Sequence, residues 1–194
     1  MLRVWVFLET TMTRGNDFVT AVCLAWVMMV VFCLRFAHLQ MAQISEIASW
    51  YWELFVTRGK SRDSGTRRRP FKVRAPTCGV SGVDIAQIAH RVLYRVTQGK
   101  YVPNFMLFDT TPARAKLGDI QGFLSRKMSR PKFVGFSMQL FKSPTPGLTE
   151  EQARACATYW ARRLFPWLAE AMNMNSPERL AIGDWRDFGP AVAC

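Results

Sequence analysis

The longest uninterrupted apolar stretch lies near the amino terminus of the chain. From Phe18 to Leu34, 17 residues pass without a charged side chain, and Asn16 and Asp17 before them are residue types that favour the N-cap of a helix. The pattern predicts a helix running to about Cys33. Its length fits a buried core helix and also lies at the lower limit for a membrane span. We favour the core helix, because the run is short for a span and Arg35 ends it abruptly.

The segment that follows contains a helical pattern and then two extended ones. Apolar spacing predicts a short second helix from Phe36 to Ile44. Aromatic and β-branched residues predict a strand over Ser49–Thr57, and alternating apolar and basic residues at 71–75 (FKVRA) predict a second strand. The two strands together indicate a β-hairpin whose long connection, RGKSRDSGTRRR, is strongly basic.

Helical patterns dominate the middle of the chain. Apolar residues recur every three or four positions over Val83–Gln98, which predicts a helix. A Pro-containing loop follows at 99–112, and residues 113–128 predict a basic helix. Residues 133–140 are predicted to be extended.

The last third of the chain begins with a clear helix start. Thr149, followed by Glu151 and Gln152, has the pattern of a capping box. The helix it opens is predicted to be disturbed at Pro166 and to end near Asn173, before a short last helix from Ser176-Pro177. The whole pattern predicts a mainly α-helical domain with a small β-hairpin or sheet, an α+β fold. We assign residues 18–194 to this domain and residues 1–17 to an N-terminal remnant.

The charge of the chain points to a polyanionic partner. Among 194 residues, 26 are Lys or Arg and 14 are Asp or Glu, so the formal net charge is +12. The hydrophobic content of 49% excludes an intrinsically disordered chain. An excess of this size favours binding to nucleic acid or to anionic lipid.

The cysteines and histidines indicate no metal centre. The five cysteines are scattered and form no Cys-x-x-Cys pair, which argues against a disulfide scaffold or zinc site and fits a reducing compartment. Only His38 and His90 are available as imidazole ligands. We therefore expect neither a zinc site nor a histidine-rich metal centre.

Four short segments, in a fixed order, carry the candidate chemistry. Cys33–Leu39 has the sequence CLRFAHL, Arg58–Arg62 is RGKSR, Tyr159–Arg162 is YWAR and Ile182–Trp185 is IGDW. In this order they resemble the first-arginine (Gly-Leu-Arg) box, the lysine-bearing β-hairpin, the His-x-x-Arg box and the Leu-Gly-His/Trp box of phage-integrase-type tyrosine recombinases. The resemblance covers about residues 18–190 and implies the fold of that family's catalytic domain, incomplete at its carboxyl end.

The resemblance implies DNA strand cleavage and rejoining. In such chemistry a tyrosine oxygen attacks the scissile phosphate and forms a phosphotyrosyl link. Two arginines hold the charge that develops on the non-bridging oxygens, and a lysine protonates the leaving 5′-oxygen. By resemblance, Arg35 and Arg162 are the clamp, Lys60 is the acid and Trp185 packs against or hydrogen-bonds the phosphate. The resemblance also implies chemistry without a metal or nucleotide cofactor.

Three departures from the family pattern bear on activity. His38 stands where the first box has an acid, and Tyr159 stands where the second box has His. No tyrosine follows Trp185, where the family places its nucleophile. Tyr159 is disfavoured as a substitute nucleophile, because it lies one helical turn before its own arginine. The expectation is a truncated recombinase or a decayed domain that binds DNA without cutting it.

Some residue assignments stay open at this point. Arg35 could instead cap the preceding helix at its carboxyl end, where positive charge is favourable. A one-residue shift of the second box would exchange Arg162 for Arg163, and only the resemblance selects Lys60 among its basic neighbours. The predicted DNA contacts are basic residues of the hairpin and of the late helix: Arg58, Arg62, Arg67, Arg68, Arg69, Lys72, Arg74 and Arg163.

The expected partner is duplex DNA, with self-association on the DNA as a further option. The implied process is recombination or integration within a mobile element, in an intracellular protein that lies in the nucleus if the cell is eukaryotic. One alternative is a non-catalytic DNA-binding module descended from a recombinase. Another is a single-span membrane protein whose basic hairpin faces anionic lipid. A metal-dependent nuclease is disfavoured, because the sequence has no compact carboxylate cluster.

Overall fold

The apolar run near the amino terminus forms the main helix of the hydrophobic core. The computed structural model describes residues 2–57, 70–96, 107–110, 116, 119–120, 122–124, 126–157, 164 and 169–175. Helix α2 covers Asp17–Val31, and the side chain of its N-cap, Asn16, accepts a hydrogen bond from the Val19 N–H at 2.8 Å. Phe18 and all residues from Thr20 to Val30 are buried. The predicted core helix is confirmed.

Helix α1 (Leu2–Arg14) packs against α2 and shares its core. Its buried residues Val4, Trp5, Leu8 and Met12 follow helical spacing along one face and belong to the same hydrophobic cluster as α2. None of the helices in the described part of the chain has both the length and the hydropathy that crossing a bilayer requires.

A three-stranded antiparallel sheet follows α2 and the short helix α3 (Phe36–Leu39). Its strands are β1 (Ala42–Ile47), β2 (Tyr51–Val56) and β3 (Phe71–Pro76), in the order β1-β2-β3. The predicted hairpin is confirmed as the β2–β3 pair. The helix predicted over Phe36–Ile44 is wrong beyond Leu39, because the chain turns at Gln40 and continues as β1.

The sheet separates an apolar face from a charged one. Trp52, Leu54 and Val56 of β2 are fully buried in the core, and Trp52 meets Phe32 at the end of α2 with ring centroids 4.8 Å apart. Because side chains alternate along a strand, the neighbouring Glu53 lies on the opposite face. That face carries the polar residues discussed below.

Three further helices complete the described part of the chain. α4 (Ile85–Val96) confirms the helix predicted over Val83–Gln98. α5 (Arg130–Phe141) replaces the extended segment predicted for 133–140, and its Phe133 stacks on Trp26 of α2 at 5.5 Å. α6 (Glu150–Ala155) begins at Thr149 with the predicted capping box.

The basic helix predicted over 113–128 is not formed by the residues described there. None of these residues is α-helical, and Phe108 instead forms an isolated antiparallel bridge with Lys127. Backbone hydrogen bonds to Leu107 and Asp109 hold Leu124, Arg126 and Met128 beside residues 107–109. The predicted disturbance at Pro166 and the short helix from Ser176 lie outside the described residues.

Candidate nucleic-acid interface

The chain leaves α2 through a well-defined turn that places Arg35 at the start of the next helix. The Leu34 N–H donates to the Met29 carbonyl at 2.9 Å, and the Cys33 N–H donates to the Val30 carbonyl at 3.0 Å. These two bonds form a Schellman motif, whose C′ residue takes a left-handed backbone conformation. Cys33 has φ 50°, the region that glycine adopts most easily. In the first-arginine box that this segment resembles, Gly stands at the position of Cys33.

Arg35 is half-buried and is the N-cap of α3, with φ −78° and ψ 153°. Its carbonyl accepts from the N–H groups of His38 and Leu39 at 2.9 and 3.0 Å. Its guanidinium makes no hydrogen bond or ion pair with any other described residue. The carbonyls of Met29 and Val30 accept the two Schellman hydrogen bonds from the backbone, and no described hydrogen bond joins the guanidinium to α2.

Helix α3 is fixed at both ends by residues distant in sequence. Phe36 stacks on Phe133 of α5 with centroids 4.6 Å apart. The buried side chain of Gln40 donates to the carbonyls of Leu107 and Met128 at 3.1 and 2.8 Å and accepts from the Leu107 N–H. These contacts hold the backbone of Arg35 in place, since Arg35 immediately precedes Phe36. His38 lies edge-on to Phe71 of β3 at 5.5 Å.

Lys72 and Arg74 lie on the outer face of the sheet, where both pair with Glu53. The Lys72 Nζ is 2.7 Å from one carboxylate oxygen, and the Arg74 Nε is 2.9 Å from the other. The Ser45 hydroxyl also donates to this carboxylate at 2.8 Å. Glu53 exposes 3% of its side chain, whereas Lys72 and Arg74 expose 61% and 59%. The two cations are accessible, but their shared partner Glu53 offsets part of their charge.

The ion pairs keep Glu53 ionised. Hydrogen bonds from Lys72 and Ser45 lower the pKa of its carboxyl from 4.5 to about 2, against the opposing effect of burial. The Arg74 guanidinium also lies over the Tyr51 ring, 4.8 Å from the centroid, and the Tyr51 hydroxyl donates to Glu46 at 2.6 Å. The described outer face therefore carries two carboxylates, from Glu46 and Glu53, and two cations, from Lys72 and Arg74. The sequence prediction did not include Glu53. Its position between the buried Trp52 and Leu54 places it on the same face of the sheet as the basic residues of β3.

A second group of charges surrounds Asp109. The Lys132 Nζ lies 2.6 Å from Oδ1 and the Arg126 Nε 2.9 Å from Oδ2, and the Thr110 N–H also donates to Oδ1. Burial alone would raise the pKa of Asp109, but the hydrogen bonds from Lys132, Thr110 and Arg126 outweigh it and lower the pKa. The sequence prediction missed this cluster because its members are separated by the loop before α5.

The other predicted site residues lie outside the described part of the chain. Among the residues that are described, no three His, Cys, Asp or Glu side chains are grouped as metal ligands would be. The predicted residues without a described position are the remaining hairpin residues and those of the two late boxes: Arg58, Lys60, Arg62, Arg67, Arg68, Arg69, Tyr159, Arg162, Arg163 and Trp185. No protein-family model, curated protein or solved structure matches the chain.

Proposed function

We propose that this chain binds duplex DNA through its phosphate backbone, as a domain related to the catalytic domain of tyrosine recombinases. The observation that carries the proposal is Arg35, a half-buried arginine with a fixed backbone and no partner for its guanidinium among the described residues. A guanidinium held in this way can donate two parallel hydrogen bonds to one phosphate.

The order of elements around Arg35 supports the same proposal. Arg35 follows a left-handed turn at Cys33 and precedes a three-stranded sheet. The β2–β3 connection of that sheet includes the basic sequence RGKSRDSGTRRR. A phosphate-binding arginine followed by a basic hairpin is the arrangement expected from the family resemblance. In the proposed site Arg162 is the second arginine of the clamp, Lys60 contacts the 5′-oxygen of the bound phosphate and Trp185 packs against the phosphate.

Binding, without cleavage, is the activity that we propose for this chain. Two positions of the family pattern carry residues with different chemistry, His38 in place of the acid and Tyr159 in place of His. The His38 ring contacts Phe71 at the edge of the sheet. The phenol of Tyr159 is neutral near physiological pH, so it cannot replace imidazole as a base there.

The test is binding of the purified chain to a random-sequence duplex across a salt series, followed by fluorescence anisotropy. Each phosphate contact contributes about 0.9 to the slope of log affinity against log salt. We expect a slope of about 3 or more, since several basic residues would contact phosphates together. Weak binding whose affinity does not change with salt would overturn the proposal. A covalent protein–DNA adduct on a nicked duplex would overturn the restriction to binding.

A further inference from the structure

Among the described residues, a group of basic side chains lies away from the sheet. Residues 126–132 contain four Lys or Arg and no Asp or Glu. Its basic residues cluster just before and within the first turn of α5. The members of this cluster, here called the α5 basic cluster, are Arg126, Lys127, Arg130 and Lys132.

The α5 basic cluster keeps most of its charge, unlike the outer face of the sheet. Asp109 is the acid that pairs with it, through Arg126 and Lys132. Four cations against one carboxylate leave a formal charge of +3. On the outer face of the sheet, by contrast, Lys72 and Arg74 both pair with Glu53, and Glu46 adds a second carboxylate, so two acids match two cations in number.

Two members of the cluster are exposed and have no partner among the described residues. Lys127 and Arg130 are both exposed, and neither makes a side-chain hydrogen bond or ion pair with another described residue. Arg130 also lies in the first turn of α5, which has no acidic residue. Positive side chains are unfavourable at that end of a helix, so a bound anion would offset both the charge and the helix dipole.

The α5 basic cluster lies beside the helix that begins at Arg35. Phe36 at the start of α3 stacks on Phe133 at 4.6 Å, and Gln40 at its end donates to the Met128 carbonyl at 2.8 Å. Residues 128–133 therefore run along α3. This segment includes Arg130 and Lys132, and Lys127 directly precedes it.

We propose that the α5 basic cluster, through Lys127 and Arg130, contacts the phosphate backbone of the same duplex DNA that Arg35 binds. This inference rests on the proposed function and extends its DNA contacts beyond the hairpin. A bound duplex would place neighbouring phosphates of one strand along α3. Arg126 and Lys132 are anchored by Asp109, whereas Lys127 and Arg130 provide charges that have no partner among the described residues.

The test compares two double variants of the full chain with equal net charge. Lys127→Gln with Arg130→Gln removes the two free charges of the cluster. The matched control is Arg3→Gln with Arg91→Gln, which removes two exposed charges from α1 and α4. Both variants are first shown by circular dichroism and urea unfolding to be folded.

We expect the cluster variant to lower the slope of log affinity against log salt by about 1.8, or about 0.9 for each lost contact. The control should bind with a slope close to that of the wild type. A cluster variant with the wild-type slope, or a control that loses as much, overturns this inference and leaves the proposed function standing. A wild type without salt-dependent DNA binding overturns both. A cluster variant that loses binding only to phosphatidylserine vesicles would assign the surface to lipid and also overturn the inference.

Discussion

Glu53 joins all three strands of the sheet through one carboxylate. It accepts from Ser45 of β1 and pairs with Lys72 and Arg74 of β3. The pKa of its carboxyl is about 2 in the folded protein, below its ordinary value of 4.5. The ionised form therefore stabilises the fold above pH 4.5, and this stabilisation is lost as pH falls through 2.

We expect Glu53→Gln to be less stable than the wild type near neutral pH, with a difference that disappears as the pH approaches 2. The measurement is the free energy of unfolding in urea across this pH range. Glu46→Gln serves as the control, because the exposed Glu46 accepts from Tyr51 and pairs with neither cation of β3. A Glu53→Gln deficit that stays constant with pH would contradict the assignment of the ion pairs.

A second buried carboxylate connects α1 to the loop between β3 and α4. Glu9 is fully buried and accepts hydrogen bonds from the N–H groups of Val80 and Ser81 at 2.9 and 2.7 Å. It also accepts from the Trp5 indole and the Ser81 hydroxyl. A Cβ atom at Gly79 would lie 2.1 Å from a Glu9 carboxylate oxygen. The carboxylate occupies the space that any side chain at this position would need.

Gly79→Ala is expected to destabilise the protein by about 2–3 kcal/mol, because displacing Glu9 breaks several hydrogen bonds of a buried side chain. Gly135→Ala is the matched control, since a Cβ there meets nothing within 4 Å. In the middle of α5, alanine should stabilise by up to about 1 kcal/mol. Urea unfolding of both variants gives the two free energies. A Gly79→Ala variant as stable as the wild type would show that Glu9 moves aside without cost.

At the scale of elements, the sequence predicted those whose pattern is local. The apolar run with Asn16 predicted α2, the periodicity at 83–98 predicted α4, and Thr149 with Gln152 predicted the start of α6. The prediction of a helix over Phe36–Ile44 was wrong because the Gln40 side chain donates hydrogen bonds to the carbonyls of Leu107 and Met128. Contacts between segments this far apart cannot be predicted from the local spacing of apolar residues.

α5 was missed although its sequence carried a signal. Ser129 and Pro131 are an N-cap residue type and an early helical proline. The many aromatic and β-branched residues at 133–136 favoured an extended interpretation. Tertiary contacts of Phe133 with Trp26 and of Phe136 with Phe18 stabilise the helix instead. Local secondary-structure propensity predicts a segment poorly where tertiary packing determines its conformation.

Helix α1 should contribute to stability as a full member of the core. We expect Leu8→Ala to cost about 2–5 kcal/mol, because Leu8 is completely buried and the neighbouring core can fill the cavity only in part. Val6→Ala, on the exposed side of the same helix at 39% exposure, should change stability by about 0.5 kcal/mol or less. Unfolding in urea measures both. Equal small effects would mean that α1 is dispensable, as expected of an N-terminal remnant.

Over the whole molecule, the excess of positive charge is unevenly distributed. The net charge of +12 predicted a polyanionic partner without locating the surface that binds it. Lys72 and Arg74 were selected from the alternation of β3, but both pair with Glu53, whose carboxylate offsets part of their charge. Four basic residues within 126–132 were visible in the sequence. Their position beside Arg35 depends on the tertiary contact between Phe36 and Phe133, which local sequence does not predict.

Arg35 gives the sharpest test of how this charge is used. Arg35→Ala should weaken DNA binding by about 10-fold or more, the cost of losing a hydrogen bond to a charged group, and lower the salt slope by about 0.9. Arg35→Lys should keep the slope but not the full affinity, because an ammonium cannot donate the parallel pair of hydrogen bonds. Anisotropy across the salt series separates the two effects. Both variants should unfold close to the wild type in urea, since no described residue pairs with the guanidinium. Folded variants that bind DNA as tightly as the wild type would remove Arg35 from the interface.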